Sequence, residues 1–291
     1  MKLEFLTVTD MFMTPTAMMA DIVLPVASHL EFDSIEAPCH IPIASVQQKV
    51  TKVGESWPDI KILNELAKKL ALPGFWNDSD EILDWILKPS GLTFDEFKKM
   101  GCLSGTKRYR HFEKNGFDTP SGKVELFSEQ LQKWDLDPLP VFRELPETPF
   151  SDPELSKEFP LIAINRKNAF FIHSRDRQIA ALRKMHPEPI VRVHHQTAGK
   201  LGIAQGDEVY IETRRGKIQQ KAELIKNIDP RIIEIDYGWC FPENKDQALL
   251  DWAKSNMNVL TSNTPPFNRE MGSSNLRGFC CKLYKADRNW P

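Results

Sequence analysis

The sequence lacks the features that mark a membrane-spanning or exported protein. It has no run of ~18 apolar residues, so a transmembrane helix is not predicted. Its first ten residues, MKLEFLTVTD, lack the apolar core and cleavage site of a signal peptide. The default expectation for the chain is therefore the cytoplasm. The formal net charge of −2 gives no basic field that would attract nucleic acid or a membrane surface.

Several catalytic and metal-binding motifs are also missing. The five cysteines include no CxxC pair, which argues against an iron–sulfur cluster or structural zinc in this chain. Their scattered spacing favours reduced cysteines, most of them in the core: Cys39, Cys102, Cys240, Cys280 and Cys281. Neither the GxxxxGK[ST] spacing of a phosphate loop nor the G-x-S-x-G elbow of a hydrolase occurs. His194 and His195 are adjacent, and adjacent strand residues point to opposite faces, so we predict no metal site there.

The first part of the chain predicts an α/β fragment. Residues 3–8 and 21–24 are apolar and favour two buried strands, with a short helix over 14–20 between them. A strand so close to the first residue needs neighbours that this segment does not provide. The segment therefore resembles the middle of an open α/β sheet.

A mixed region follows. Apolar residues at helical spacing predict helices over 57–70, 79–87 and 94–100, with Ser79 as the cap of the second. The segment DTPSGKVELF (118–127) predicts a turn and a strand. Residues 128–160 are rich in proline and predict mostly a linker.

From residue 158 the pattern changes to short strands with tight turns, which predict a β-barrel. Strands are expected over 161–164, 190–193, 208–213, 217–224, 231–235 and 279–284, with a short helix over 196–201. The predicted organisation is thus an α/β fragment over 1–75, a connecting region over 76–157 and a mainly-β barrel domain over 158–288.

Polar side chains follow the first barrel strand directly. Asn165 and Arg166 end the apolar run 161–164, and a second polar group comes shortly after it: His173, Ser174, Arg175, Asp176, Arg177 and Gln178. Hydrogen-bond donors, some of them cationic, placed just beyond a strand are suited to a large anionic ligand. From the residues alone, a solvated surface is the favoured interpretation of Arg175 and Arg177.

Three blocks, in order and spacing, resemble the C-terminal half of the molybdopterin oxidoreductases of the dimethyl sulfoxide reductase type. They are FLTVTDMFMTPTAMMADIVLPVASHLEFD (5–33), FDTPSGKVELFSEQL (117–131) and the region from FPLIAINRK onward, which includes HSRDRQIAALRKMHPEP and NVLTSNTPPFNREMGSSNLRGF. The segment HSRDRQIAALRKMHPEP is similar to the sequences of the family branch that contains acetylene hydratase and thiosulfate or polysulfide reductase-like enzymes. The resemblance implies a Rossmann-like fragment followed by a double-psi β-barrel that binds a molybdopterin dinucleotide.

The resemblance also implies the ligand and its contacts. The family cofactor is molybdenum or tungsten held by two pterin guanine dinucleotides, each with a pyrophosphate, two sugars, a pterin and a guanine. Arg166, His173 and Ser174 match the family pattern in the loop after the first barrel strand. The further candidates that the resemblance implies are Asn165, Arg175, Arg177, Gln178, Asn258, Asn263 and Arg277 in the barrel domain, with Asp10 and Thr14 in the first block.

The family's metal ligand and its [4Fe–4S] cluster precede the region matched here, so the resemblance implies that both come from an N-terminal half or subunit. This chain would bind one dinucleotide, wall the active-site cleft and be inactive alone; no residue in it is assigned to catalysis or to the metal. Three hypotheses stay open: a redox enzyme, a hydratase with the same cofactor, and a truncated remnant without catalysis. The substrate, the choice of metal, the electron partner and the compartment of the complete enzyme also stay open.

Overall fold

The computed structural model describes residues 3–38, 41–106, 109–265, 268 and 270–286. Cys39 and residues 287–288 of the predicted barrel domain lie outside the described residues. The chain divides into two compact units, Met1–Val124 and Glu125–Pro291. The three-region division drawn from the sequence remains a prediction. Over the described ranges, every helix is too short or too polar to span a membrane.

The described residues form strands and helices throughout both units. The strands are β1 (Thr7–Asp10), β2 (Ile22–Pro25), β3 (Ser34–Glu36), β4 (Ile43–Gln47), β5 (Cys102–Ser104), β6 (Leu161–Asn165), β7 (Ile190–His194), β8 (Glu208–Thr213), β9 (Gly216–Ile225), β10 (Ile232–Ile235) and β11 (Phe279–Lys285). The helices are α1 (Asp59–Lys69), α2 (Ser79–Leu87), α3 (Phe94–Met100), α4 (Phe112–Asn115), α5 (Glu129–Lys133), α6 (Pro153–Glu158), α7 (Ala180–Met185), α8 (His195–Lys200) and α9 (Trp252–Ser255). Single 3₁₀ turns lie at Ala17–Met19, Lys88–Ser90, Ala248–Asp251 and Met257–Val259.

In the first unit, β1 and β2 form a parallel pair with Thr7 opposite Ile22 and Asp10 opposite Pro25. The predicted strand over 3–8 therefore begins later, and the predicted helix over 14–20 is only one 3₁₀ turn. The expectation that both strands are buried is wrong, because neither strand contains a buried residue. A second sheet, in the order β3-β4-β5, packs its apolar residues against α2 and α3.

The helices agree with the periodicity of the sequence, but two local predictions are wrong. Helix α2 is capped by Asp78, whose Oδ1 accepts the Glu81 amide at 2.9 Å, and not by Ser79. The strand expected within 118–127 does not form, because the Phe117 amide donates to the Gly122 carbonyl (2.9 Å) and closes a turn instead. The supposed linker over 128–160 contains α5 and α6.

Helix α1 buries the opposite side from the one its sequence suggests. Its buried side chain is Asn64, which is 8% exposed and bonds to both main-chain groups of Trp76. Leu63, Leu66 and Leu70 share one stripe of the helix, and each remains at least half exposed. A helix normally turns such a stripe towards a core. The leucine face of α1 is therefore an apolar surface that the first unit leaves uncovered.

The second unit contains a closed six-stranded barrel in the order β10-β6-β11-β8-β9-β7, with β7 also paired to β10. β10 with β6 and β7 with β9 are parallel, and the other four pairings are antiparallel. Alternate residues point inward, as in β10, where Ile233 and Ile235 are fully buried. This barrel fits the predicted double-psi architecture.

The register brings six strand ends to one end of the barrel. Asn165 of β6 lies opposite Ile235 of β10, so both parallel strands finish there. β7 and β11 begin there, since each is antiparallel to one of these strands. The hairpin between β8 and β9 turns at the same end. The loops that leave this end are the ones that contain the polar sequence clusters.

A buried carboxylate fixes the loop structure of the first unit. Glu31 accepts hydrogen bonds from the Ser28 amide and hydroxyl (2.8 and 2.9 Å), from the Val53 amide (2.9 Å) and from the Ser56 hydroxyl (2.5 Å). These bonds join segments more than twenty residues apart. The hydrogen bond from Ser56, followed by those from the Ser28 and Val53 amides, lowers the pKa of Glu31 to about 2.

We expect Glu31→Gln to lower the free energy of unfolding at neutral pH, with the difference shrinking in acid. The folded-state pKa of about 2 lies below the unfolded value of ~4.3, so the carboxylate stabilises the fold above that unfolded value. This contribution is lost as the pH falls through the interval between the two pKa values. Urea unfolding of both chains at pH 7, 4 and 3 measures it. The exposed Glu55→Gln variant is the control, and a gap that stays constant with pH would contradict the assignment.

Candidate functional site

Two loops meet at the polar end of the barrel. The arginine loop (residues 166–179) follows β6, and the tryptophan loop (residues 236–247) follows β10. Gly238 lets them approach each other, because a Cβ atom there would lie 2.5 Å from the His173 carbonyl oxygen. Its φ of +67° is also a conformation that other residues rarely adopt. His173 and Asp176 have positive φ as well, so the arginine loop is held in an unusual backbone path.

Arg177 joins the two loops from inside. Its side chain donates to the His173 carbonyl, to the Arg175 carbonyl (3.5 Å) and to the Tyr237 carbonyl (2.6 Å). The guanidinium also lies against the rings of Phe171 and Trp239, at 4.8 and 4.9 Å from their centroids. Burial lowers the pKa of Arg177 to about 10, which leaves it cationic at neutral pH. The solvated-surface interpretation of Arg177 is therefore wrong, since it is only 3% exposed.

A second buried interaction joins the same loops. Arg166 Nη1 donates to Asp236 Oδ1 at 3.1 Å, and Asp236 Oδ2 lies 2.6 Å from His186 Nε2. The His186 ring packs against Phe171 and Trp239. The carboxylate is 2% exposed, so this ion pair is shielded from water. A buried carboxylate with two such partners holds Arg166 at the barrel end.

Several buried hydrogen-bond donors in these two loops have no partner. Within the described residues, the buried side-chain polar atoms that have no hydrogen-bond partner are all nitrogen donors of these two loops: Arg166 Nε, Asn168 Nδ2, Arg177 Nε, Gln178 Nε2 and Trp239 Nε1. Each buried unpaired donor costs about 1–3 kcal/mol. These two adjoining loops are therefore the part of the described chain in which buried side-chain N–H groups lack acceptors.

The predicted contacts of the arginine loop have different surroundings. His173, Ser174 and Arg175 are exposed, and the His173 ring lies 5.5 Å from Tyr237. Arg175 lies 3.9 Å from the Asp176 carboxylate with most of its side chain in solvent. Asn165 and Gln178 are partly buried.

The later candidates lie between β10 and β11. Asn258, Asn263 and Arg277 are exposed, and their described neighbours Thr261, Ser262 and Asn275 line a cavity of about 330 Å³. The cavity is also lined by Arg214 and Arg215 of the β8–β9 hairpin, which pair with Glu147. These groups share the end of the barrel with the arginine loop, but they do not belong to its hydrogen-bond network.

Asp10 and Thr14 belong to the first unit. Asp10 ends β1 and Thr14 lies four residues later, at the carboxyl end of the parallel pair, where α/β sheets commonly bind ligands. Thr14 Oγ1 donates to Asp10 Oδ2 at 3.0 Å, and the Phe12 amide donates to Asp10 Oδ1 at 3.1 Å. Their side chains therefore order this turn.

The sequence interpretation missed Asp236, His186, Trp239 and Gly238. The string IDYGWC places polar and aromatic residues directly after β10, the same signal that identified Arg166 after β6. The premise that His194 and His195 point to opposite faces of one strand is also wrong, because β7 ends between them and their rings lie 4.3 Å apart. Across the described part of the chain, no three His, Cys, Asp or Glu side chains are grouped for metal binding.

We expect Gly238→Ala to push the two loops apart and to lower the free energy of unfolding. The new Cβ atom meets main-chain atoms that cannot move aside, in addition to the cost of the positive φ, for a total loss of about 2–4 kcal/mol in the free energy of unfolding. Gly206→Ala is the matched control, because Gly206 has φ of +82° but open space around it. Urea unfolding measures both, and equal losses would show that the loops do not need this close approach.

Two family models match the chain. The model described as molydopterin dinucleotide binding domain matches residues 161–273, which hold β6 to the segment before β11. The model described as molybdopterin oxidoreductase matches residues 1–69. Together these ranges cover more than half of the chain. The matches fall on the first and third blocks from which the family resemblance was predicted.

The chain is similar to longer proteins of known activity. It is 33% identical to acetylene hydratase of Syntrophotalea acetylenica, covering 98% of this chain and 41% of that protein. It is 26% identical to the thiosulfate reductase molybdopterin-containing subunit of Salmonella typhimurium, covering 82% of this chain and 34% of that one.

The fold of the chain is also similar to that of a solved structure. Acetylene hydratase from Pelobacter acetylenicus superposes with a TM-score of 0.88 at 32% identity, over 97% of this chain and 40% of that one. The chain thus spans less than half the length of the relatives it matches. The predicted resemblance is confirmed, and the chain belongs to the molybdopterin oxidoreductase family.

Proposed function

We propose that the chain is the C-terminal portion or subunit of a molybdenum or tungsten enzyme with two pterin guanine dinucleotides, and that its barrel end binds one of them. The observation that carries this proposal is the set of five unpaired donors in the arginine and tryptophan loops. The chain would also form one wall of the active-site cleft.

The donor set fits the ligand. A pyrophosphate presents only acceptors, and the carbonyl and ring-nitrogen edges of pterin and guanine present several more. The loops offer guanidinium, amide and indole N–H groups, which are the complementary chemistry. When bound, the metal centre would supply two-electron redox chemistry or, in a hydratase, polarisation of water or substrate.

Some of these residues would contact the dinucleotide, and others would shape the loop that binds it. Arg166, His173, Ser174 and Arg175 would contact the dinucleotide from the arginine loop, with Asn165 and Gln178 beside them. Arg177 is committed to main-chain carbonyls, so its larger role would be to shape the loop. Asn258, Asn263 and Arg277, with Asp10 and Thr14, are proposed as further contacts.

A partner region is part of the proposal. The relatives are much longer than this chain, the leucine face of α1 is exposed, and neither strand of the β1–β2 pair contains a buried residue. Exposed apolar surface of this extent marks an interface. The N-terminal half or subunit would cover it and would supply the metal ligand and possible [4Fe–4S] cluster. The chain alone would then be inactive, while its barrel end would still bind one dinucleotide.

Co-expression tests this proposal. The chain, produced together with a protein that carries the N-terminal half, should copurify as a complex containing molybdenum or tungsten and releasable pterin. Elemental analysis and the fluorescence of the oxidised pterin measure the two components. A complex with Arg166→Ala should contain less of both. A purified wild-type complex without metal and pterin would refute the proposal.

A hydratase is the second candidate. It is favoured by the likeness to acetylene hydratase, which extends over 98% of this chain. In this alternative the cofactor is the same, but the reaction has no net electron transfer. The arginine loop and the tryptophan loop would serve both alternatives equally, since they bind the dinucleotide and do not choose the reaction.

Electron-acceptor dependence separates the two candidates. If the complex is a hydratase, it should turn over acetylene in a reductant-poised assay while consuming no electron acceptor or donor. Product formation and dye reduction are followed in parallel. Stoichiometric dye oxidation or reduction during turnover would instead identify a redox enzyme.

A further inference from the structure

We propose that Asp236 is a positioning residue, which acts on the dinucleotide by fixing the direction of the Arg166 guanidinium. This inference rests on the proposed function, because it assigns how one side of the same site is built. Nothing in the sequence pattern identified Asp236 as part of the site. Its contacts are what assign it this role.

Hydrogen bonds to the side chain of Gln220 hold the main chain of Asp236 in place. Its amide donates to Gln220 Oε1 (3.3 Å), and its carbonyl accepts from Gln220 Nε2 (2.8 Å). Gln220 belongs to β9, is 1% exposed and also donates to the Ser255 carbonyl at 3.2 Å. The residue that begins the tryptophan loop is therefore fixed to the barrel wall by two hydrogen bonds from one side chain.

The two carboxylate oxygens of Asp236 form hydrogen bonds with different partners. Oδ2 accepts the Ile190 amide at 3.1 Å and lies 2.6 Å from His186 Nε2. Oδ1 is thereby directed to Arg166 Nη1, at 3.1 Å. Since the carboxylate cannot rotate without losing the bonds to Oδ2, it determines where the guanidinium lies.

This arrangement changes what Arg166 offers to a ligand. Its charge is compensated by a buried carboxylate, so a long-range field is not its main contribution. Its Nε donor has no partner in the described part of the chain. Arg166 therefore acts as a directed N–H donor, and the quality of the direction depends on Asp236.

The test uses the full chain and guanosine 5′-diphosphate (GDP) as the probe, because GDP shares the pyrophosphate and the guanine of the proposed ligand. Calorimetry gives the dissociation constant for the wild type and for Asp236→Asn. We expect the variant to bind about tenfold more weakly, the loss of one charge-assisted hydrogen bond. Glu234→Gln is the matched control: it removes a carboxylate two residues earlier, within β10, where Glu234 pairs with Arg192, and should leave GDP binding unchanged.

A double-variant cycle separates positioning from general structural support. If Asp236 acts through Arg166, adding Asp236→Asn to Arg166→Gln should change GDP affinity by less than about twofold, although it still lowers the melting temperature. An equal loss in both backgrounds would overturn the proposal. If Asp236→Asn does not fold, Arg166→Lys answers the same question, since it keeps the charge but not the guanidinium geometry. Retained binding by Arg166→Lys would then overturn it, and lost binding would support it.

The outcomes also separate this inference from the function on which it rests. If the wild-type chain does not bind GDP, the proposed dinucleotide site itself fails. If the wild type binds GDP and Asp236→Asn binds it equally well, the dinucleotide site stands and only the role of Asp236 fails.

Discussion

The parallel pairing of β6 with β10 determines where every polar group of the site lies. Because the two strands run side by side in the same direction, the chain leaves both of them at one end of the barrel. Arg166 and Asp236, seventy positions apart, thereby become the first residues of two adjoining loops. The bonds from Arg177, the close approach at Gly238 and the aromatic contacts of Trp239 all require this adjacency.

Local hydrogen-bond balance, and not the net charge of the chain, makes the barrel end suited to the acceptor-rich ligand that we propose. The whole chain carries a formal charge of −2, which points to no anionic partner. In the two loops, main-chain carbonyls accept only from the two terminal nitrogens of Arg177, and a single carboxylate serves both Arg166 and His186. What remains is a surplus of N–H groups in a poorly solvated place, where each is strongly attracted to an acceptor.

The sequence predicts the barrel well because alternation of apolar residues reports directly which side of a strand is buried. It also locates Asn165 and Arg166, since a polar residue at the end of an apolar strand is visible without a structure. It cannot say which strand lies next to which, so Asp236 was not joined to Arg166. Arg175 and Arg177 look alike in sequence, yet the positive φ of Asp176 between them turns one outward and the other inward. The false strand at 118–127 failed for a similar reason, because Val124 and Leu126 alternate correctly but remain exposed without a neighbouring strand.

The hydrogen bonds from Arg177 have a consequence for how such a site can diversify. They end on the carbonyl oxygens of His173, Arg175 and Tyr237, atoms that every amino acid possesses. These hydrogen bonds therefore do not depend on the side chains at 173 and 175, both of which are exposed. Position 175, and position 173 among residues that accept its positive φ, can change side chain while the path of the loop stays constant, so specificity can evolve, or be engineered, without rebuilding the fold.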